Sequence, residues 1–106
     1  MSTAGLLETG WTYDGVVPVR VCVRQRAHRI EFSDGGGAVT AAGANMHRVV
    51  LPDHIELGEY SVNVSRKGVV FLPGSTSQSD EWLAKLPDLV AEGSLALYEA
   101  LLDAGG

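Results

Sequence analysis

The chain has 106 residues, 45% of them hydrophobic, which is enough for one core and too few for two, so a single domain over 1–106 is expected. A formal charge of −5 speaks against general nucleic-acid binding, which needs a positive contact surface. The single cysteine, Cys22, excludes an internal disulfide framework, no apolar run approaches the roughly 20 residues of a membrane span, and Met1–Leu7 lacks the basic start and apolar middle of a signal peptide; the expectation is a cytoplasmic protein that does not meet the membrane.

Leu6 to Asp14 reads as a first strand carrying Trp11 and Tyr13 on one face and ending in the turn pair Asp14-Gly15. A hairpin leads into the most regular stretch of the chain, where Val17, Val19, Val21 and Val23 occupy alternate positions with Arg20, Cys22 and Arg24 between them. Period two of this kind writes a strand with one buried and one wet face, and Pro18 fits only where its missing donor faces an unpaired side. A third strand, His28 to Ser33, is reached through Gln25-Arg26-Ala27 and turns Ile30 and Phe32 inward.

Asp34-Gly35-Gly36-Gly37 breaks the sheet, and Ala38 to Gly43 forms at most a short helix closed by Gly43. From Ala44 to Gly58 no clean period holds, and a surface connection with one short extended piece at Arg48–Leu51 is expected. Glu59–Ser65 and Gly68–Leu72 alternate well and make a second hairpin around Arg66-Lys67, with Gly68 free to take a positive backbone angle and Pro73-Gly74 ending the sheet. A helix then runs from about Ser79 to Asp103, capped by Ser77, Ser79 or Asp80. Its apolar stripe is Trp82, Leu86, Leu89, Val90, Gly93, Leu97, Ala100 and Leu101, with Lys85, Asp88, Glu92, Glu99 and Asp103 opposite. Pro87 either kinks this helix or starts a second one, and Gly93 on the stripe implies close approach to a neighbouring backbone. The expected fold is α+β: an antiparallel sheet of about five strands in two hairpin-like groups, covered on one face by a long C-terminal helix.

Chemistry is sparse. His28, His47 and His54 have no metal-ligand spacing, no serine sits in a nucleophile elbow, and Asp34 with Glu31 lacks the lysine that a metal-dependent nuclease needs. Neither a catalytic set, a metal nor a cofactor is expected. The glycine run after Ser33-Asp34 has the composition of an anion cradle, but Asp34 puts a negative charge where the anion would sit, and a tight turn accounts for the run better. The order of an Arg-rich strand, a strand ending in Ser33-Asp34-Gly35-Gly36 and a short helix, over about Val17 to Gly43, resembles a small bacterial domain of unknown function; the resemblance implies no activity.

Two candidate surfaces remain. Arg20, Arg24, Arg26 and Arg29 lie between Val16 and Ile30 with no acid among them, and Arg66 and Lys67 mark the second hairpin tip. On the helix, Leu95, Tyr98 and Leu102 fall on a flank of the stripe, where they suggest either wider burial or a self-association surface. The expected function is a non-catalytic interaction or adaptor domain that binds a protein partner or itself as a homodimer. The alternative is a polyanion or nucleic-acid-binding module that uses the arginine face, less favoured because that face lacks aromatics to stack on bases.

Overall fold

The computed structural model describes residues 2–43 and 49–105. Strand β1 (Ser2–Thr12) pairs antiparallel with β2 (Pro18–Arg26), in which the valine repeat does what its period requires: Val19 and Val21 are buried, while Arg20, Arg24 and Arg26 are exposed. The first strand begins and ends earlier than its sequence suggests, because Tyr13 leaves the ladder and enters the core while Trp11 stays at the surface. Between the two strands, Asp14 Oδ1 accepts the backbone N–H groups of Val17 (2.8 Å) and Val16 (2.9 Å), which hold its carboxyl below the usual range, and Gly15 turns the chain at φ 86°.

Strand β3 (Arg29–Ser33) follows a two-residue turn and is succeeded by α1 (Gly37–Ala42), which Gly43 closes in a left-handed conformation at φ 61°. Part of the connection expected from Ala44 lies outside the described residues, as do His47 and Arg48. The extended piece comes later than expected, as β4 (His54–Leu57) rather than Arg48–Leu51; its alternation covers four residues, too few to stand out by period. Gly58 turns it into β5 (Tyr60–Val64), and the Arg66-Lys67 turn, with Gly68 at φ 83°, leads to β6 (Val70–Ser75). The sheet is therefore six-stranded and antiparallel, in the order β1-β2-β3-β6-β5-β4. Pro73 and Gly74 lie within β6 instead of ending it. The β5 ladder stops at Phe71, so Pro73 sits where β6 pairs on one side only.

Helix α2 (Asp80–Gly105) is continuous through Pro87, which deprives the Leu83 carbonyl of its helical partner. Ser79 caps it, accepting the Trp82 N–H on Oγ (3.2 Å) and the Leu83 N–H on its carbonyl (3.0 Å). Most of the expected stripe is buried or half-buried against the sheet; Ala100 is exposed, while Ala91, Ser94 and Tyr98 are buried. The buried arc is wider than one sheet contact because α1 also packs on α2 and Tyr13 meets Tyr98, ring centroids 5.3 Å apart. Wider burial therefore accounts for the flank of α2. Tyr98 belongs to the core, Leu95 packs half-buried against it, and only Leu102, 45% exposed, faces outward, so the three do not make one open surface for self-association. No helix among the described residues is long and apolar enough to cross a membrane.

The seat of α2 on the sheet depends on two glycines. At Gly74 an added Cβ would lie 3.1 Å from Leu86 and 3.2 Å from Leu83, and at Gly93 it would collide with Val62 and Val70, both fully buried. Gly93→Ala is expected to lower stability by about 1–3 kcal/mol through overpacking, although alanine favours an isolated helix by about 1 kcal/mol. Urea unfolding checks this: a midpoint that stays put or rises contradicts the close seat.

Candidate functional site

Residues directly opposite each other in an antiparallel ladder share a face, so the register assigns the outer surface row by row. Arg24 lies opposite Ala4 on β1 and Glu31 on β3, and Arg26 lies opposite Arg29, which faces Ser75 on β6. Three guanidinium groups therefore converge at the end of the sheet where β2 turns into β3. Arg24 and Arg26 are about 6.6 Å apart along one strand, and Arg26 and Arg29 are like charges set directly across a ladder, a locally unfavourable pairing. The turn between them, Ala27-His28, costs more still, because Ala27 adopts a left-handed φ of 55°.

Neighbouring backbone fixes this end. The Thr76 N–H donates to the His28 carbonyl (3.0 Å), and the Ser75 N–H to Gln78 Oε1 (2.8 Å), so the loop before α2 forms one rim. Within it lies a broad open depression of about 800 Å³ lined by Arg24, Arg26, His28, Arg29, Glu31 and Pro73, among others. Among the described residues the arginine–carboxylate pair within 4.0 Å is Arg20–Glu8 (3.6 Å), and His54 Nε2 lies 4.0 Å from Glu56, so Arg24, Arg26 and Arg29 have no such partner there.

The other expected cations do not join them. Arg20, near the opposite end of β2, is beside Glu8. Arg66 and Lys67 are at the turn preceding β6, which runs antiparallel to β3, so they occupy the far end of the sheet. Of the six acids of α2, Asp88, Glu92, Glu99 and Asp103 are exposed on a helix that covers the opposite sheet face, while Asp80 and Glu81 stand exposed in its first turn, just after the rim loop. Cys22 is half-buried on the outer face, its Sγ 3.1 Å from where a Cβ on Gly35 would stand.

A second polar cluster, which pattern reading does not assemble, closes the far end. The buried Asp34 carboxylate accepts the Gly36 and Val70 N–H groups on Oδ1, both at 2.9 Å, and the Ser94 hydroxyl on Oδ2 at 2.7 Å, with the Ala38 N–H longer at 3.4 Å. Ser94 spends its proton on Asp34, so the Tyr13 hydroxyl donates to Ser94 Oγ (2.7 Å). Gly37 has no room for a side chain, since its Cβ would stand 2.5 Å from the Tyr13 oxygen, while Gly35 and Gly36 hold φ of 62° and 82°. The glycine run is a tight turn in which the Gly36 and Ala38 N–H groups are taken by the Asp34 carboxylate and the Gly37 N–H by the Asp34 main-chain carbonyl (3.0 Å). Ser94 is the available signal: a polar residue set among Val90, Gly93 and Leu97 on an apolar stripe.

Fold and surface together define an open-sheet α+β protein with a cationic patch at one end of its uncovered face. No family model matches this chain, and no significant match is found among curated proteins or solved structures. The resemblance of the Val17–Gly43 segment gains no support from them.

Two outcomes follow from the Asp34 cluster. Asp34→Asn places an amide donor among donors and is expected to cost about 3 kcal/mol, read as a lower thermal midpoint; an unchanged midpoint contradicts the bonding described. Burial raises the Tyr13 pKa above its ordinary value, opposed by the Ser94 hydrogen bond and reinforced by the charge of Asp34. The folded state therefore holds this proton longer than the unfolded chain, so the associated stability is full below about pH 10 and is lost as pH rises through the folded value. Tyr13→Phe should remove that part of the alkaline decline, and an identical decline in wild type and variant contradicts the assignment.

Proposed function

We propose that this protein is a non-catalytic interaction module that takes an acidic segment of a protein partner in the depression formed by Arg24, Arg26 and Arg29. The observation that carries the reading is their convergence on the face turned away from Asp88, Glu92, Glu99 and Asp103 of α2. Guanidinium groups suit this role, since each presents several fixed donors to a carboxylate. Glu31 and Pro73 interrupt the patch, favouring a short ligand that combines acidic groups with an apolar contact. The next row of the outer face, Leu6, Cys22, Ser33, Phe71, Asn63 and His54, holds no arginine, lysine or carboxylate, so the cationic area is local rather than a track for an extended polyanion.

Fluorescence anisotropy with a labelled Glu-rich peptide, a neutral peptide of equal length and single-stranded and duplex oligonucleotides tests this. The acidic peptide should bind best, weakening from about 50 mM to about 300 mM salt as charge is screened. Arg26→Glu with Arg29→Glu should weaken it about tenfold or more, the effect of reversing close interfacial charges. Equal binding by the variant, or tighter binding of the oligonucleotides, contradicts the reading.

A further inference from the structure

We infer that two copies of this chain pair through the free edges of β1, antiparallel about a two-fold axis through Leu6, making one continuous sheet. The two edges of the sheet are built differently. β4 is four residues long and has His54 and Glu56 among them, a short charged edge of the kind that discourages pairing. β1 is eleven residues long, contains no proline, and has Glu8 as its one charged residue. Leu6 is 61% exposed and Leu7 42%, two of the eight large apolar side chains that remain exposed among the described residues. A long, nearly uncharged apolar edge left open is a template for strand addition.

The register selects a second copy as the occupant. The β1–β2 ladder is regular from residue 2 to Glu8 and then shifts before Thr12, with Gly10 at φ 79°, so pairing is confined to the straight segment ahead of that shift. With the axis at Leu6, each Leu6 meets its counterpart, and each Leu7 covers Gly5 of the other copy, where nothing lies within 4 Å of an added Cβ. Glu8 then faces Ala4 of the other copy. Ala4 is directly opposite Arg24 on β2, so Glu8 reaches across a small side chain, over two strand spacings or about 10 Å, to a guanidinium without an ion pair among the described residues. Its own Arg20 is on its other side, 3.6 Å away, giving the order Arg24, Glu8, Arg20 across the junction. A two-fold repeats this charge match twice. The pairing engages Arg24, which the acidic-segment reading also uses, but leaves Arg26, Arg29 and His28 open. Arg26→Glu with Arg29→Glu should therefore weaken binding of the acidic peptide while leaving the dimer intact, which keeps the two readings distinguishable.

Sedimentation velocity across a concentration series, with oxidative crosslinking, tests the inference. Wild type should dimerise; Glu8→Lys and Arg24→Glu should each weaken the dimer about tenfold, and the double variant should recover it. In a Cys22→Ser background, mild oxidation should couple Leu6→Cys copies and leave Glu8→Cys copies uncoupled, since residues opposite each other at the axis lie within disulfide range and residues offset along the strands do not. A monomer at every concentration, a double variant as weak as the singles, or coupling at position 8 rather than 6 overturns the inference. Thermal midpoints compared at a dilution where every variant is monomeric separate lost pairing from lost folding.

Discussion

The missing side chain at Gly93 sets how this molecule divides its surface. It lets α2 settle directly onto Val62 and Val70, so the helix covers one face of the sheet and carries Asp88, Glu92, Glu99 and Asp103 away from the other. With the helix seated there, the polar positions of the valine strand have no internal partner layer, and their guanidinium groups stand in water beside each other. A helix lifted by even a methyl group would lose contact with buried valines on two strands, and the division into a covered acidic side and an open basic end would loosen with it.

The two ends of the sheet treat charge in opposite ways. At the end closed by α1, backbone donors left by the glycine turn are met by Asp34, which Ser94 and Tyr13 in turn satisfy, so an anion is already built in. At the other end, Arg26 faces Arg29 across a turn in which Ala27 holds a left-handed backbone, and neither arginine has a carboxylate within 4.0 Å among the described residues. Local disagreement with the rules of stable folding is where an external ligand gains most, because it removes a repulsion as well as adding a contact. The same logic distinguishes the edges: β4 is short and charged, whereas β1 is long and bare.

Much of the fold is legible in the sequence because its signals are local. Val17 to Val23 name a half-buried strand by period alone, Gly43 and Gly68 mark places where a positive φ is needed, and Gly93 on an apolar stripe announces close packing. The features that escape are those that depend on distant partners. Four residues of β4 show too little alternation until β5 lies beside them, and Pro73 looks like a terminator until the β5 ladder is seen to stop before it. Tyr98 on the helix flank leaves wider burial and a self-association surface both open, because Tyr13, which covers it, is far away in sequence. The candidate site divides in the same way. The arginines are visible as a cluster, but which of them converge depends on strand direction: Arg24, Arg26 and Arg29 meet at one end, while Arg66 and Lys67 are carried to the other.

Whether the basic end of the uncovered face is where a ligand docks is addressed residue by residue by amide chemical shifts of the isotope-labelled protein, followed as a Glu-rich peptide is added. The changes are expected to concentrate in residues 24–31 and 74–76, with α2 and the Arg66-Lys67 turn still. Changes centred on α2 or on that far turn, or none anywhere, contradict a ligand site at the basic end.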